Sequence, residues 1–186
     1  MLFANGTLNY NLQACKKAIS LEFLHRFCAM LVIHVPVTRA VKKYFLIQNY
    51  KHLVDRPTGY AIYLNQRSFL GNLVHSLLTH DLRDWKLKPP PTESLVLLLS
   101  KRYQSCYITE RSLRKLAFHL DHQFKLEMCL YVDMAVKFGG ISALQAVNNF
   151  CQNFGIEEQD YGQDSMYRYY TRYGKAHHIR PNLKAA

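Results

Sequence analysis

The stretch Leu31-Val-Ile-His-Val-Pro-Val37, followed by Thr38-Arg-Ala-Val-Lys-Lys-Tyr44, decides the fold class. Residues 31–37 alternate and are rich in β-branched side chains, the pattern of a strand half-buried on a sheet. Thr38 then offers a hydroxyl to the first unsatisfied N–H groups of a helix running from 39 to about 49. Val41, Phe45 and Leu46 turn inward on that helix, and Arg39, Lys42 and Lys43 turn outward. The unit repeats. After the turn signal Asp55-Arg-Pro-Thr-Gly59, the run Tyr60-Ala-Ile-Tyr-Leu64 reads as a second strand. Asn65 then caps a helix over 66–78, with Phe69, Leu70, Leu73, Val74 and Leu77 on its apolar face.

Working outward, residues 79–92 read as a loop, because Pro89-Pro-Pro91 can continue neither a helix nor a central strand. Two apolar runs, 95–99 and 103–108, flank Ser100-Lys-Arg102 and predict a hairpin with a basic tip. From Thr109 as N-cap to Gly139 as terminator, Leu113, Leu116, Leu120, Phe124, Met128, Tyr131, Ala135 and Phe138 recur at three and four residues. That spacing predicts an amphipathic helix of about eight turns. Ser142 opens a further helix with Leu144, Val147, Cys151 and Phe154 on one face and Gly155 as its stop. Asp164-Ser165 opens a last one over 166–173, closed by Gly174. The expected class is therefore α+β: a small strand-helix and hairpin part, then a mainly helical C-terminal half with one long helix. Met30 stands directly before the first strand as an alternative start. Residues 1–30 are accordingly read as an N-terminal extension, 31–108 as a basic region, and 109–186 as a helical region packed with it in one compact domain.

The chain has 186 residues, 49% hydrophobic and 20% charged, which excludes a disordered basic tail. Lys plus Arg number 24 against 13 Asp plus Glu, a net charge of +11. Such an excess favours polyanions. It is uneven: residues 31–88 hold nine basic and three acidic side chains, more than half of the surplus. Five cysteines, Cys15, Cys28, Cys106, Cys129 and Cys151, are odd in number and form no CxxC pair, so reduced thiols in a cytoplasmic protein are expected. The apolar run 28–37 is too short to span a bilayer, which needs about 20 residues.

Catalytic motifs are lacking. The sequence contains no P-loop, GxSxG elbow, HExxH or GxGxxG. His119-Leu-Asp-His122 puts two histidines and an aspartate on one helix face, yet a third or fourth ligand has no identifiable place beside His177, His178 or Cys129. We expect no catalytic residues, no metal and no cofactor. The basic residues are more informative. Arg39, Lys42, Lys43 and Lys51 form the most generous phosphate-binding set, and Arg67, Lys101 and Arg102 would serve a winged-helix layout with the hairpin tip on the backbone. In Tyr167-Arg-Tyr-Tyr-Thr-Arg-Tyr173, Arg168 and Arg172 lie one turn apart among tyrosines, with Lys175 beyond, a combination able to grip phosphates and stack on bases. The alternative is a terminal helix packed through Met166 and Tyr170, its arginines paired with Glu157, Glu158 or Asp160. The helices around 141–155 and 164–174 are separated by more residues than the three or four of a helix-turn-helix.

The phrases Val35-Pro-Val-Thr-Arg-Ala-Val-Lys-Lys-Tyr44, Tyr63-Leu-Asn-Gln-Arg-Ser-Phe-Leu-Gly71 and Ala146-Val-Asn-Asn-Phe-Cys-Gln-Asn-Phe-Gly-Ile156, with Tyr167 to Tyr173, resemble uncharacterised small basic proteins of Bacteroidetes phages and mobile elements. The likeness spans about 31–175 and implies a mobile-element setting. The expected function is non-enzymatic binding of DNA, with RNA as the other nucleic acid, by a regulator or replication accessory factor. The competing expectation is an assembly factor that associates, as a homodimer for instance, through the helix 109–138.

Overall fold

The computed structural model describes residues 30–57, 59–81 and 93–177, with side chains to residue 173. The sheet is built from β1 (Leu31–Pro36), β2 (Leu53–Arg56), β3 (Gly59–Tyr63) and β5 (Ser94–Leu99), in the spatial order β1-β5-β3-β2. β5 pairs antiparallel with β1, Ile33 opposite Leu97, and parallel with β3, Ile62 opposite Leu97. β2 and β3 form an antiparallel pair around the Pro57 turn, with Leu53 opposite Ile62. β4 (Leu78–Thr79) and β6 (Tyr107–Ile108) make a separate small ladder. Five helices accompany these strands: α1 (Arg39–Gln48), α2 (Phe69–Leu77), α3 (Glu110–Gly139), α4 (Ala143–Asn153) and α5 (Gln163–His177).

The α+β class expected from the sequence is the class observed. Side chains alternate across a sheet, so Leu31, Ile33, Val35, Ile62, Leu95, Leu97 and Leu99 share one face. That face meets Val41, Tyr44 and Phe45 of α1, Leu70 and Val74 of α2, and Leu116, Leu120, Phe124, Met128 and Val132 of α3 in one hydrophobic core. Tyr44 is its hub. Its ring lies 5.3 Å from Phe124, 6.0 Å from Phe150 and 4.8 Å from Phe154, tying α1 to α3 and to the end of α4. Burying a phenol requires a partner for its hydroxyl, and Tyr44 donates to Glu127 Oε2 at 2.5 Å. Burial, then that carboxylate, hold the phenol far above its ordinary pKa.

The long helix needs its length. It packs on β1, α1, α2, α4 and α5 along its length of about 45 Å. Thr109 caps it, its hydroxyl accepting from the N–H of Ser112, and Gly140 at φ 64° ends it, one residue beyond the expected terminator. Gly155 at φ 57° follows α4 as expected. Burial of Ala146, Val147, Phe150 and Cys151 fastens α4, and Met166 seats α5 against Cys151 with sulfur atoms 3.4 Å apart.

Several expectations are corrected. The predicted hairpin 95–108 is absent: β5 lies between β1 and β3, so both its edges are occupied, and the chain leaves it through a 3-10 turn, Lys101–Tyr103. Only Tyr107–Ile108 is extended, and it pairs with β4. No winged-helix hairpin exists there. α2 starts at Phe69 under a Ser68 cap rather than at Gln66, because Asn65 Oδ1 takes the N–H of Arg67 in a turn while Ser68 Oγ takes that of Gly71. α5 begins earlier than expected, at Gln163, and runs through Gly174 to His177. Phe69, Phe138 and Leu144, expected on apolar faces, are exposed. β2 was not expected: its second half falls in the predicted turn 55–59, and Leu53-Val-Asp-Arg56 is too short and mixed to show a period. The extension 1–29 and the prolines 89–91 lie outside the described residues.

Candidate functional site

Because β3 and β5 are parallel neighbours, they end together, at Tyr63-Leu64 and Leu99-Ser100. α2 also begins there, its N-terminal turn following β3 directly. In open α/β sheets the carboxyl ends of parallel strands form the natural crevice, since both chains turn away to different connections. Here that crevice has a volume of about 840 Å³ and is lined by Tyr63, Gln66, Arg67, His75, Ser100, Lys101, Arg102 and Tyr103, among others. Arg67, Lys101 and Arg102 are exposed at its rim. Among the described residues of the lining there is no carboxylate. Three cations beside a helix N-terminus, with no internal counter-charge, make an anion-binding geometry.

The local sequence explains the shape. Ser68 Oγ donates to the Asn65 carbonyl at 2.7 Å and Ser68 N–H does so at 3.0 Å, which clamps the 65–68 turn and aims Arg67 outward. Gly71 is buried where a Cβ would run into the backbone carbonyl of Asn65. On the other wall, Arg102 donates to Gln66 Oε1 and lies 4.8 Å over the Tyr103 ring, and Tyr103 meets His75 edge-on at 5.3 Å. Ser100 Oγ is buried without a hydrogen-bond partner.

The other predicted basic residues go elsewhere. Arg39 Nε pairs with Glu93 Oε1 at 2.8 Å, and Lys42 Nζ lies 3.9 Å from the same carboxylate. Lys43 donates to Asp160 Oδ2 at 2.6 Å and to the Gly155 carbonyl at 2.9 Å, with Glu157 3.6 Å away. The Asp160 side chain is only 2% exposed. Burial alone would raise its pKa, but the hydrogen bonds from Lys43 and from the Glu157 N–H outweigh it and hold the carboxyl below its ordinary value. The hydrogen bond to Asp160 likewise raises Lys43. The α1 cations are therefore partners of carboxylates 50 to 120 residues away in sequence.

Lys51 is exposed over the Tyr50 ring at 5.6 Å. Arg168 and Arg172 are exposed on α5 and do not line the crevice, and the Lys175 side chain lies outside the described residues. The tyrosines between them anchor α5: Tyr170 donates to Asp133 Oδ1 at 2.8 Å, its pKa pushed up to about 12 by burial and that carboxylate, and Lys125 lies 5.3 Å over Tyr169. Glu157 and Asp160 serve Lys43, not these arginines. His119 and His122 are exposed, Asp121 pairs with Lys125 at 2.6 Å, and no group of three metal-ligating side chains occurs among the described residues. Cys106, Cys129 and Cys151 are free and buried, and burial pushes the Cys129 thiol up to about 11.

Two features escaped the sequence reading. Tyr63, His75, Ser100 and Tyr103 join the crevice only through the parallel pairing of β3 with β5, a long-range fact. A second, shallower basic surface on the first turns of α3, about 740 Å³, carries Arg111, Arg114, Lys115, Phe118 and His119. The spacing of Arg111 with Arg114 and Lys115 was a visible signal for it. Arg114 there pairs with Glu110 at 2.5 Å. No helix among the described residues is long and apolar enough to cross a membrane. Comparison with family models, curated proteins and solved structures gives no match.

Proposed function

We propose that the chain is a non-enzymatic nucleic-acid-binding protein that holds a phosphate backbone across the crevice at the ends of β3 and β5, in the role of a regulator or replication accessory factor of a mobile element. One observation carries this reading: Arg67, Lys101 and Arg102, separated by up to 35 positions, converge on a cavity whose described lining holds no carboxylate. The net charge of +11 supplies the long-range attraction. The likeness of the three quoted phrases to mobile-element proteins supplies the setting.

The test is a salt titration of oligonucleotide binding. Log affinity should fall linearly with log salt, with a slope of about −0.7 to −0.9 per phosphate contacted, and the triple variant R67A/K101A/R102A should flatten it by about two to three. Absence of binding at about 50 mM salt removes the proposal.

A second reading, self-association through α3, is favoured by a different observation. Leu130, Met134 and Phe138 recur every fourth residue and are 51%, 59% and 70% exposed. Asp133 and Lys137 lie on the same turns, so a second copy packed antiparallel would bring opposite charges together. Light scattering at about 100 μM tests it: a dimer that M134K dissolves supports this reading, and a monomer ends it.

A further inference from the structure

We infer that the crevice takes an unpaired nucleotide, so that the nucleic acid bound is single-stranded; this rests on the function proposed above and specifies its ligand. Three cations alone would suit any phosphate ridge. The remainder of the lining argues for more than a ridge. Tyr63 and the exposed His75 share the cavity with Arg67, Lys101 and Arg102 beside the amide of Gln66, while the Tyr103 ring lies buried beneath Arg102. Aromatic rings in a concave site offer stacking surfaces, and a base has a free face only when it has left the duplex stack.

Size agrees with that choice. At about 840 Å³ the open groove has far more room than one phosphate needs. A duplex presents a convex backbone with its bases turned inward and would touch only the rim, where Arg67, Lys101 and Arg102 are exposed. A single strand fits both parts: phosphates at Arg67, Lys101 and Arg102, and one base against the Tyr63 and His75 side chains. Arg102, already 4.8 Å over Tyr103, extends the stacking surface with a guanidinium plane.

Fluorescence anisotropy with the full chain at about 50 mM salt reads the result, using labelled oligonucleotides of one mixed sequence as single-stranded DNA, single-stranded RNA and blunt duplex DNA. The expected outcome is affinity for at least one single strand about tenfold or more above the duplex. H75A, an exposed position, and Y63L should each weaken single-strand binding about tenfold while leaving the salt slope unchanged, because stacking releases no counterions. The two single-stranded arms distinguish DNA from RNA through the 2′-hydroxyl. Duplex binding equal to or tighter than both single strands overturns this inference and leaves nucleic-acid binding standing. Single-strand binding indifferent to both H75A and Y63L, in variants whose circular dichroism is unchanged, also overturns it. No binding in any arm overturns the proposed function itself.

Discussion

The basic face of α1 and the basic rim of the β3/β5 crevice carry three cations each, yet they are electrostatically opposite. Arg39, Lys42 and Lys43 are answered by Glu93, Asp160 and Glu157, whereas Arg67, Lys101 and Arg102 share a cavity whose described lining holds no carboxylate. In the sequence the α1 set was the richer candidate, because its three charges fall within five residues. Folding gives the two sets different surroundings. Charge density along a chain measures local composition, while a footprint depends on which carboxylates arrive from a distance. On α1, Arg39 and Lys42 are tied to Glu93 beside β5 and Lys43 to Asp160 in the loop after α4, whereas no carboxylate is among the described residues that line the crevice.

The contrast can be broken most directly by removing the crevice cations. R67A/K101A/R102A should lower nucleic-acid affinity on the order of 100-fold, at about 1 kcal/mol per phosphate contact, with thermal unfolding almost unchanged, read by anisotropy and calorimetry. The Lys43–Asp160 pair should behave in the reverse way. D160N removes a buried charged acceptor and should cost about 1 kcal/mol of stability, read as a lower denaturant midpoint, while affinity stays put.

That pair also predicts a pH window. Asp160 titrates below its ordinary 3.8 in the folded protein, so its contribution is complete above that value and is lost as pH falls through the folded pKa. Lys43 titrates above its ordinary 10.5, so its contribution holds below 10.5 and is lost as pH rises through its raised value. The stability gap between wild type and D160N should therefore be level between about pH 5 and 10 and close below about pH 4. The smallest effect is expected of R39A. Its pair with Glu93 is exposed, 56% and 38% for the two side chains, and should contribute only about 0.2–1 kcal/mol, with no change in affinity. A clear loss of binding in R39A would erase the distinction between the two faces.

The helices were legible because their signals are local. Thr109, Ser142 and Thr38 cap the helices they were expected to cap, and the three-and-four spacing of Leu116, Leu120, Phe124 and Met128 marks the buried stripe of α3. Strand partners were not legible. Leu95 to Leu99 looks the same in sequence whether it pairs with the next run or with β1 and β3, and only the nearly complete burial of β5 on both faces hints at a central position. The crevice was half-visible: Arg67, Lys101 and Arg102 were named from charge, while their meeting place depended on the parallel register of β3 and β5. Tyr170 and Tyr169 show the converse, ligand-like residues by type that fix α5 in place.

The glycine at position 71 has a bearing on how this crevice could change over generations. Its one hydrogen lets the first turn of α2 press against the Asn65 carbonyl, and the turn that presents Arg67 is held in that pose by the contact. Even the smallest added side chain would place its Cβ 2.0 Å from that oxygen and force the two apart. The close approach of α2 to the loop after β3 thus depends on a side chain that is absent, since the space its first carbon would need is already filled by backbone.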